Sequence, residues 1–426
     1  MDYSLSSKKS LRGDITIPPD KSLSHRAVMF NSLADGNAKI SNFLMGEDCL
    51  STISVLRELG VKIEVSSGSV ITHGKGINSL SEPNKILDVG NSGTTIRLMS
   101  GILAGRNFEC TLDGDSSIRK RPMNRIIKPL NMMGAKISAN NNNENAPIHF
   151  NGGNLQKIEY TLPVASAQLK SALILAGLRS ENGIKIIEKA TSRDHTERLL
   201  SNMGADIKTD GLEITVKPSE IESRDITVPG DISSASFWLV AACIHKDAEL
   251  TIRNVGINKT RSGIISVLER MGASIEFFNE KDYSGEPACD IHIKTSYLKG
   301  TEISGSEIPL LIDEIPILAL AAVFAEGQTK IIDAEELRYK ESDRISLTVN
   351  WMKKAGAIVE ELQDGMIITG NQMINGGTFS SNGDHRLAMT LGIASLVSKD
   401  NIIVNNPEAS NVSYPGFWEK LNLLGE

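Results

Sequence analysis

The chain has 426 residues and a formal charge of −7, with 45 basic and 52 acidic side chains. That mild acidity argues against a nucleic-acid partner held on a broad basic face, and the length exceeds what one hydrophobic core usually serves, so two domains are expected. The start, MDYSLSSKKSLRGD, lacks the apolar stretch of a signal peptide, and the longest apolar run, Ile315 to Ala325, is too short to span a bilayer, so no membrane partner is expected.

In chain order, six segments combine a short extended stretch, a turn of small polar residues and an apolar helix. They read ITIPPDKSLSHR from Ile15, LDVGNSGTTIR from Leu87, YTLPVASAQLK from Tyr160, ITVPGDISSAS from Ile226, PLLIDEIPILA from Pro309 and SNGDHRLAMT from Ser381. After each comes a second helix with a common ending: LRELGVKI, LNMMGAKI, LLSNMGADI, VLERMGASI, WMKKAGAIV and, at the C-terminus, LNLLGE. Glycine after a helix accepts the left-handed conformation that ends it, and β-branched residues such as Val61, Ile137 and Val359 then restart a strand. The repeat of roughly 70 residues is therefore a folding unit, not a solenoid turn.

The expected fold is mixed α/β, with two globular domains of about three strand–helix–strand–helix–strand–strand units each. The first and fourth copies, ITIPPD and ITVPGD, are most alike and carry a stiff proline turn. They predict hinge crossings near Pro18 to Asp20 and Val228 to Gly230, with 20–228 as one domain and 1–19 plus 229–426 as the other. Met1 to Ile17 reads as a strand pairing with the C-terminal half.

Polar chemistry gathers at the helix starts, where unpaired N–H groups and the helix dipole favour anions. Lys21, Ser22 and Arg26 mark the first copy; Asn91, Thr94 and Arg97 the second; Ser166, Gln168 and Lys170 the third; His385 and Arg386 the sixth. The second helices add Arg119, Arg121, Ser192, Arg193, Lys259, Arg261, Arg338, Lys340 and Arg344. Arginines at helix starts oppose the dipole, so an acidic protein that collects them there is built to hold anions, which guanidinium forks engage bidentately. Taken alone, KESDR reads as a solvated helix face with Glu341 and Arg344 at i,i+3. Asp313 lies in the apolar run LLIDEIPILALAA, where a carboxylate is costly unless paired or used, which makes it a general-base candidate, with Glu341 as a second proton-transfer group. Glu314 reads as a helix N-terminal charge, Asp231 and Asp384 as caps, and the fourth copy as little more than a hinge. Cys49, Cys110, Cys243 and Cys289 are far apart without CxxC spacing, which suits reduced thiols in a cytoplasmic protein, and the seven histidines form no metal-ligand pair.

PDKSLSHR, GNSGTTIR, KRPM, SAQLKSALILAG, SRDHTER, LIDEIP, YKESDR and GDHR together resemble the 5-enolpyruvylshikimate-3-phosphate synthases, in the order that family has them from about Ile15 to Pro415, and the SAQ and LIDE forms resemble its class II branch. The resemblance implies two domains of three βαβαββ units closing around substrate, transfer of the enolpyruvyl group of phosphoenolpyruvate to the 5-hydroxyl of shikimate 3-phosphate, no metal or organic cofactor, and a monomer. Carried over by matching position, it implies that Lys21, Ser22, Arg26, Ser166, Ala167, Gln168, Arg193, Asp313 and Lys340 hold shikimate 3-phosphate. It likewise implies that Lys21, Asn91, Gly93, Arg121, Gln168, Arg344 and Arg386 hold phosphoenolpyruvate, with Asp313, Glu341, Lys21 and His385 handling protons. The chain departs from many relatives at Val412, where they carry lysine, and at Glu336, where they carry asparagine. Two alternatives stay open. A UDP-N-acetylglucosamine enolpyruvyl transferase would share the fold, but uses a cysteine in the loop where this chain has Ser116 and Ser117. A non-catalytic binder of anionic metabolites would keep the arginines but need neither Asp313 nor Glu341.

Overall fold

The computed structural model describes residues 2–424, so Met1 and the glycine of the last helix ending lie outside the described residues. The chain divides into two compact units, one of Pro19–Val228 with Tyr283–Glu286, the other of Met1–Pro18, Pro229–Asp282 and Pro287–Glu426. Glu286, grouped with the first of these, meets His195 Nδ1 with its carboxylate at 2.8 Å, both buried. No helix among the described residues is long and apolar enough to cross a membrane.

Both units are mixed α/β and follow one plan. Within a repeat the strand before the first helix lies parallel to the strand after it, and the closing two strands are antiparallel. In Leu87–Gly153 the order across the sheet is Leu87–Asp88, Glu109–Asp113, Asn145–Gly153, Ala135–Ala139. Two repeats break the rule in a reciprocal way. Strand Leu11–Thr16, which leads into helix Lys21–Leu33, pairs in parallel with Ala248–Gly256 of the fourth repeat. Strand Ile226–Thr227, which leads into helix Ile232–Ile244, pairs in parallel with Asp35–Ser41 of the first. This exchange of opening strands is why the chain passes from unit to unit just after each of them. The N-terminal segment forms two strands instead of the single one expected: Asp2–Leu5 runs antiparallel to Ile402–Asn405, and the polar run Ser6 to Ser10 separates it from Leu11–Thr16.

The first helices of the repeats are the interior of each unit. Lys21–Leu33, Gly93–Leu103 and Ala167–Gly177 are buried along most of their length in one; Ile232–Ile244, Ile315–Phe324 and His385–Ser395 in the other. Their apolar residues join two separate cores, and burying a single Leu or Ile contributes about 1.5–3 kcal/mol. Where Gly93–Leu103 meets Ala167–Gly177 the backbones nearly touch: a Cβ on Gly101 would sit 2.1 Å from the Ala172 carbonyl oxygen. Burial of the helix bodies leaves only their N-terminal turns to carry polar groups, which is how each unit gathers its charged side chains.

The second-helix endings behave as their sequence predicts: Gly60, Gly134, Gly204, Gly272 and Gly356 have φ of 90°, 103°, 92°, 103° and 89°. The fifth repeat differs from expectation. Its strand is Glu302–Ile303, and Ile308–Leu311 is already helical, because Ser304 and Glu307 form a capping box that starts the helix early.

Candidate active site

In the unit formed mainly by Pro19–Val228, the first helix opens on Asp20, whose carboxylate accepts from Leu23 N at 2.8 Å. Lys21 Nζ lies 3.1 Å from Asp48 Oδ2. Arg26, one helical turn on, is buried, and its fork is held by oxygens that carry no formal charge: Nε donates to Thr196 Oγ1 at 2.8 Å, one terminal nitrogen to Ser171 Oγ at 2.8 Å and the other to the Ser22 carbonyl at 3.1 Å. Burial lowers the Arg26 pKa to about 10 against the opposing pull of Glu197 and Asp20. A desolvated guanidinium bound only to neutral oxygens is primed for an anion.

Ser166 caps the third copy's helix, accepting from Leu169 N at 3.4 Å, and Ala167 is that helix's first residue. Gln168 Oε1 accepts from Arg97 at 2.6 Å while its Nε2 donates to Thr94 Oγ1 at 3.1 Å, which ties the third copy to the second. Arg193 is half-buried in the turn before helix His195–Asn202. Lys170, named among the polar residues of the third helix start, finds acidic partners that its spacing does not display. Lys170, fully buried, pairs with Glu188 at 3.0 Å and Glu197 at 2.7 Å and donates to the Ser192 carbonyl at 3.1 Å. Burial pushes the Glu197 carboxyl up, opposed by Lys170.

The second copy supplies Asn91, Gly93 and Arg121. Arg121 donates to Asn91 Oδ1 at 2.8 Å, and Asn91 Nδ2 donates to Asp115 Oδ2 at 2.7 Å. Gly93 is required for space: a Cβ there would stand 2.6 Å from an Arg121 terminal nitrogen and 3.2 Å from one of Arg97.

The other unit carries Asp313, Lys340, Glu341, Arg344, His385 and Arg386. Asp313 Oδ1 lies 3.4 Å from Lys340 Nζ and 3.2 Å from Arg344. Arg344 is buried and also meets Glu341 Oε2 at 2.6 Å and Asp384 Oδ2 at 2.9 Å, so YKESDR is not the solvated face its pattern suggested. Burial alone would lower the Arg344 pKa, but Asp384, Glu341 and Asp313 outweigh it and raise it. His385 is the buried first residue of its helix, directly after the cap Asp384. Glu336 and Val412, the two departures from relatives, lie in the 3-10 turns Glu335–Tyr339 and Pro407–Val412.

Asp231 and Asp384 cap their helices as expected, Asp231 accepting from Ser233 N at 2.9 Å, and Glu314 stands at its helix start, but each does more than its sequence shows. Asp384 does cap its helix, accepting from Arg386 N at 2.8 Å, but it is also the buried counter-ion of Arg344. Glu314 makes no cap bond; it is fully buried and meets Arg261 at 3.2 and 3.3 Å, because the apolar helix Ile315–Phe324 carries it into the core. The fourth copy is more than a hinge: Asp231 lies 3.3 Å from Arg261, Ser233 Oγ bonds both Arg261 and Glu314, and the Ser233 carbonyl accepts from Arg386 at 3.2 Å. Arg386 Nε is buried with no hydrogen-bond partner among the described residues. The available signal for Glu314 was the one already used for Asp313, a charge inside an apolar run.

Six repeats of this plan, three to a unit, form the two-domain fold of the enolpyruvyl transferases, and solved structures agree. An EPSP synthase from Acinetobacter baumannii matches with a TM-score of 0.89 at 42% identity, covering 100% of this chain and 98% of that one. At the level of sequence, the family described as EPSP synthase (3-phosphoshikimate 1-carboxyvinyltransferase) matches residues 5–421. Relatives named 3-phosphoshikimate 1-carboxyvinyltransferase include one from Thermoanaerobacter sp. (strain X514), 50% identical over 100% of both chains, and one from Bacillus subtilis (strain 168), 50% identical over 98% of both. The chain belongs to the EPSP synthase family and is a transferase.

Proposed function

We propose that the protein transfers the enolpyruvyl (carboxyvinyl) group of phosphoenolpyruvate to the 5-hydroxyl of shikimate 3-phosphate and releases phosphate, a step of the shikimate pathway toward aromatic amino acids. Full-length identity to relatives of that name supports the reaction. The observation that carries the chemistry is Asp313, a carboxylate within 3.4 Å of Lys340 and 3.2 Å of Arg344.

An alcohol is a poor nucleophile, so a base must take its proton as the oxygen attacks C2 of phosphoenolpyruvate. Asp313 takes that role. The methylene carbon gains a proton from Glu341 or Lys21, giving a tetrahedral adduct. In the second step a methyl proton leaves, the C2–O bond to phosphate breaks, and the double bond reforms. Arg121, Arg344 and Arg386 stabilise the charge on the departing phosphate, which preorganised guanidiniums do without reorganising. Arg26, Ser22, Ser166, Ala167, Gln168, Arg193 and Lys340 hold shikimate 3-phosphate; Arg26, bound only by neutral oxygens, supports that assignment. Lys21, Asn91, Gly93 and Gln168 complete the phosphoenolpyruvate contacts, and His385 is a further proton-handling group. We also infer a cytoplasmic monomer, consistent with four buried cysteines that form no disulfide; sedimentation at micromolar concentration showing a dimer would overturn the monomer.

The test mixes purified protein with both substrates and follows phosphate. Release that needs both substrates is expected. No release under any condition would return the anion-binding reading to first place.

A further inference from the structure

We propose that Asp115 is a positioning residue for Arg121, acting through the Asn91 amide. The proposal rests on the reading above that Arg121 engages phosphoenolpyruvate.

Asp115 joins two loops. Its backbone N–H donates to the Gly90 carbonyl at 3.0 Å, and a Cβ on the preceding Gly114 would stand 2.4 Å from that same oxygen, so the loops run in close contact. Its carboxylate is divided between them. Oδ1 accepts from Ser117 N and Ile118 N, each at 2.9 Å, which anchors the loop that carries Arg121. Oδ2 accepts from Asn91 Nδ2 at 2.7 Å, and Asn91 Oδ1 accepts from Arg121 at 2.8 Å.

The polarity of this chain follows from its ends. A carboxylate only accepts and a guanidinium only donates, so the group between them must donate at one end and accept at the other. An amide does both, and with Asp115 on one side its orientation is decided. Asp115 thereby turns the Asn91 oxygen toward Arg121, while the absent side chain at Gly93 leaves room for the guanidinium on another flank. Arg344, by contrast, is bound directly by three carboxylates. Asp115 reaches Arg121 through the neutral Asn91 amide.

Asp115→Asn isolates this role. Its remaining oxygen can still accept from Ser117 N and Ile118 N, but its NH2 now faces the Asn91 NH2. Asn91 must flip or lose the bond, and a flipped amide presents donors to a guanidinium. Loss of one charge-assisted hydrogen bond predicts a rise of about tenfold in KM for phosphoenolpyruvate. KM for shikimate 3-phosphate should stay within about twofold, because Arg26 and its partners are untouched.

The double variant Asn91→Ala with Asp115→Asn removes the relaying amide, so Asp115→Asn should add less than about twofold to the KM for phosphoenolpyruvate of Asn91→Ala alone. Initial rates of phosphate release are measured for wild type and each variant across both substrates. A wild type that releases no phosphate overturns the activity itself. With an active wild type, a selective KM effect in Asp115→Asn that is absent in the Asn91→Ala background is expected. An unaltered KM in Asp115→Asn, equal changes in both KM values, or an effect of Asp115→Asn that persists in full in the Asn91→Ala background would each overturn the relay.

Discussion

Arg344 and Asp384 form a buried ion pair, Nε to Oδ2 at 2.9 Å, with side chains 1% and 0% exposed. Burial would push the Asp384 carboxyl up, but the Arg344 guanidinium holds it below the usual carboxylate range. One guanidinium thus organises three carboxylates, Asp313, Glu341 and Asp384, drawn from three segments of the chain. Asp384→Asn keeps an N-capping side chain yet removes the charge. Breaking a buried pair from one side costs about 3–5 kcal/mol, and the remaining partners of Arg344 favour the lower end. Urea unfolding of variant and wild type checks this; a loss below about 1 kcal/mol would mean that the pair is not what holds Arg344.

Asp313→Asn removes the base and leaves a side chain of the same shape between Lys340 and Arg344. Turnover is expected to fall by about 10²–10⁴-fold, the range for a lost general base. Shikimate 3-phosphate binding, followed by calorimetry, should weaken much less. A variant that retains more than a tenth of wild-type kcat would remove Asp313 from the role.

Gly93→Ala places a methyl group where a terminal nitrogen of Arg121 stands 2.6 Å away. The long side chain can yield, so the fold should survive with Tm nearly unchanged, while the displaced guanidinium weakens phosphoenolpyruvate use. A rise of about tenfold or more in KM for that substrate is expected. Unchanged kinetics would show that Arg121 tolerates the shift or does not contact the substrate.

His25 predicts a pH dependence of stability. Its ring is buried against Thr52 Oγ1 at 2.7 Å, which continues through Thr95 to Ser92, and burial lowers its pKa to about 3. The folded protein therefore keeps this ring neutral where the unfolded chain, with an ordinary imidazole pKa near 6.5, takes up a proton. Between about pH 6.5 and pH 3 the unfolded state binds the extra proton, so stability falls as pH falls, by up to about 1.4 kcal/mol per pH unit, and is level above that window. His25→Gln should flatten the slope of unfolding free energy between pH 6.5 and 4.5, whatever its absolute stability. Parallel slopes in variant and wild type would refute the assignment.

The repeat plan was legible because its signals are local. Glycines at the second-helix endings, small polar residues before apolar helices and β-branched residues after them act within a few positions of one another. The same locality limits the reading of PLLIDE: its helical start depends on Ser304 and Glu307 upstream, outside the repeated motif. Charged partners were harder. Taken alone KESDR reads as a solvated face because sequence spacing displays the Glu341–Arg344 pair, which does form, whereas burial of Arg344 depends on which helices cover it. Asp231 and Glu314 do stand at helix starts, as read, but Arg261, which each one meets, is not visible from their spacing.

What the sequence by itself determined is the six-part architecture, the family, and the collection of cations and carboxylates at helix starts. All of these follow from short-range order along the chain, where capping, periodicity and turn chemistry act. Only the tertiary structure decided which charges meet: Arg26 with Thr196, 170 positions away, Arg386 with the Ser233 carbonyl, 153 positions away, and Arg261 with Glu314, 53 positions away. It also decided the exchange of opening strands between the first and fourth repeats, two copies nearly alike in sequence. Ion pairs and strand partners are through-space choices made when cores pack, and a buried charge must find its partner there because leaving it unpaired costs several kcal/mol.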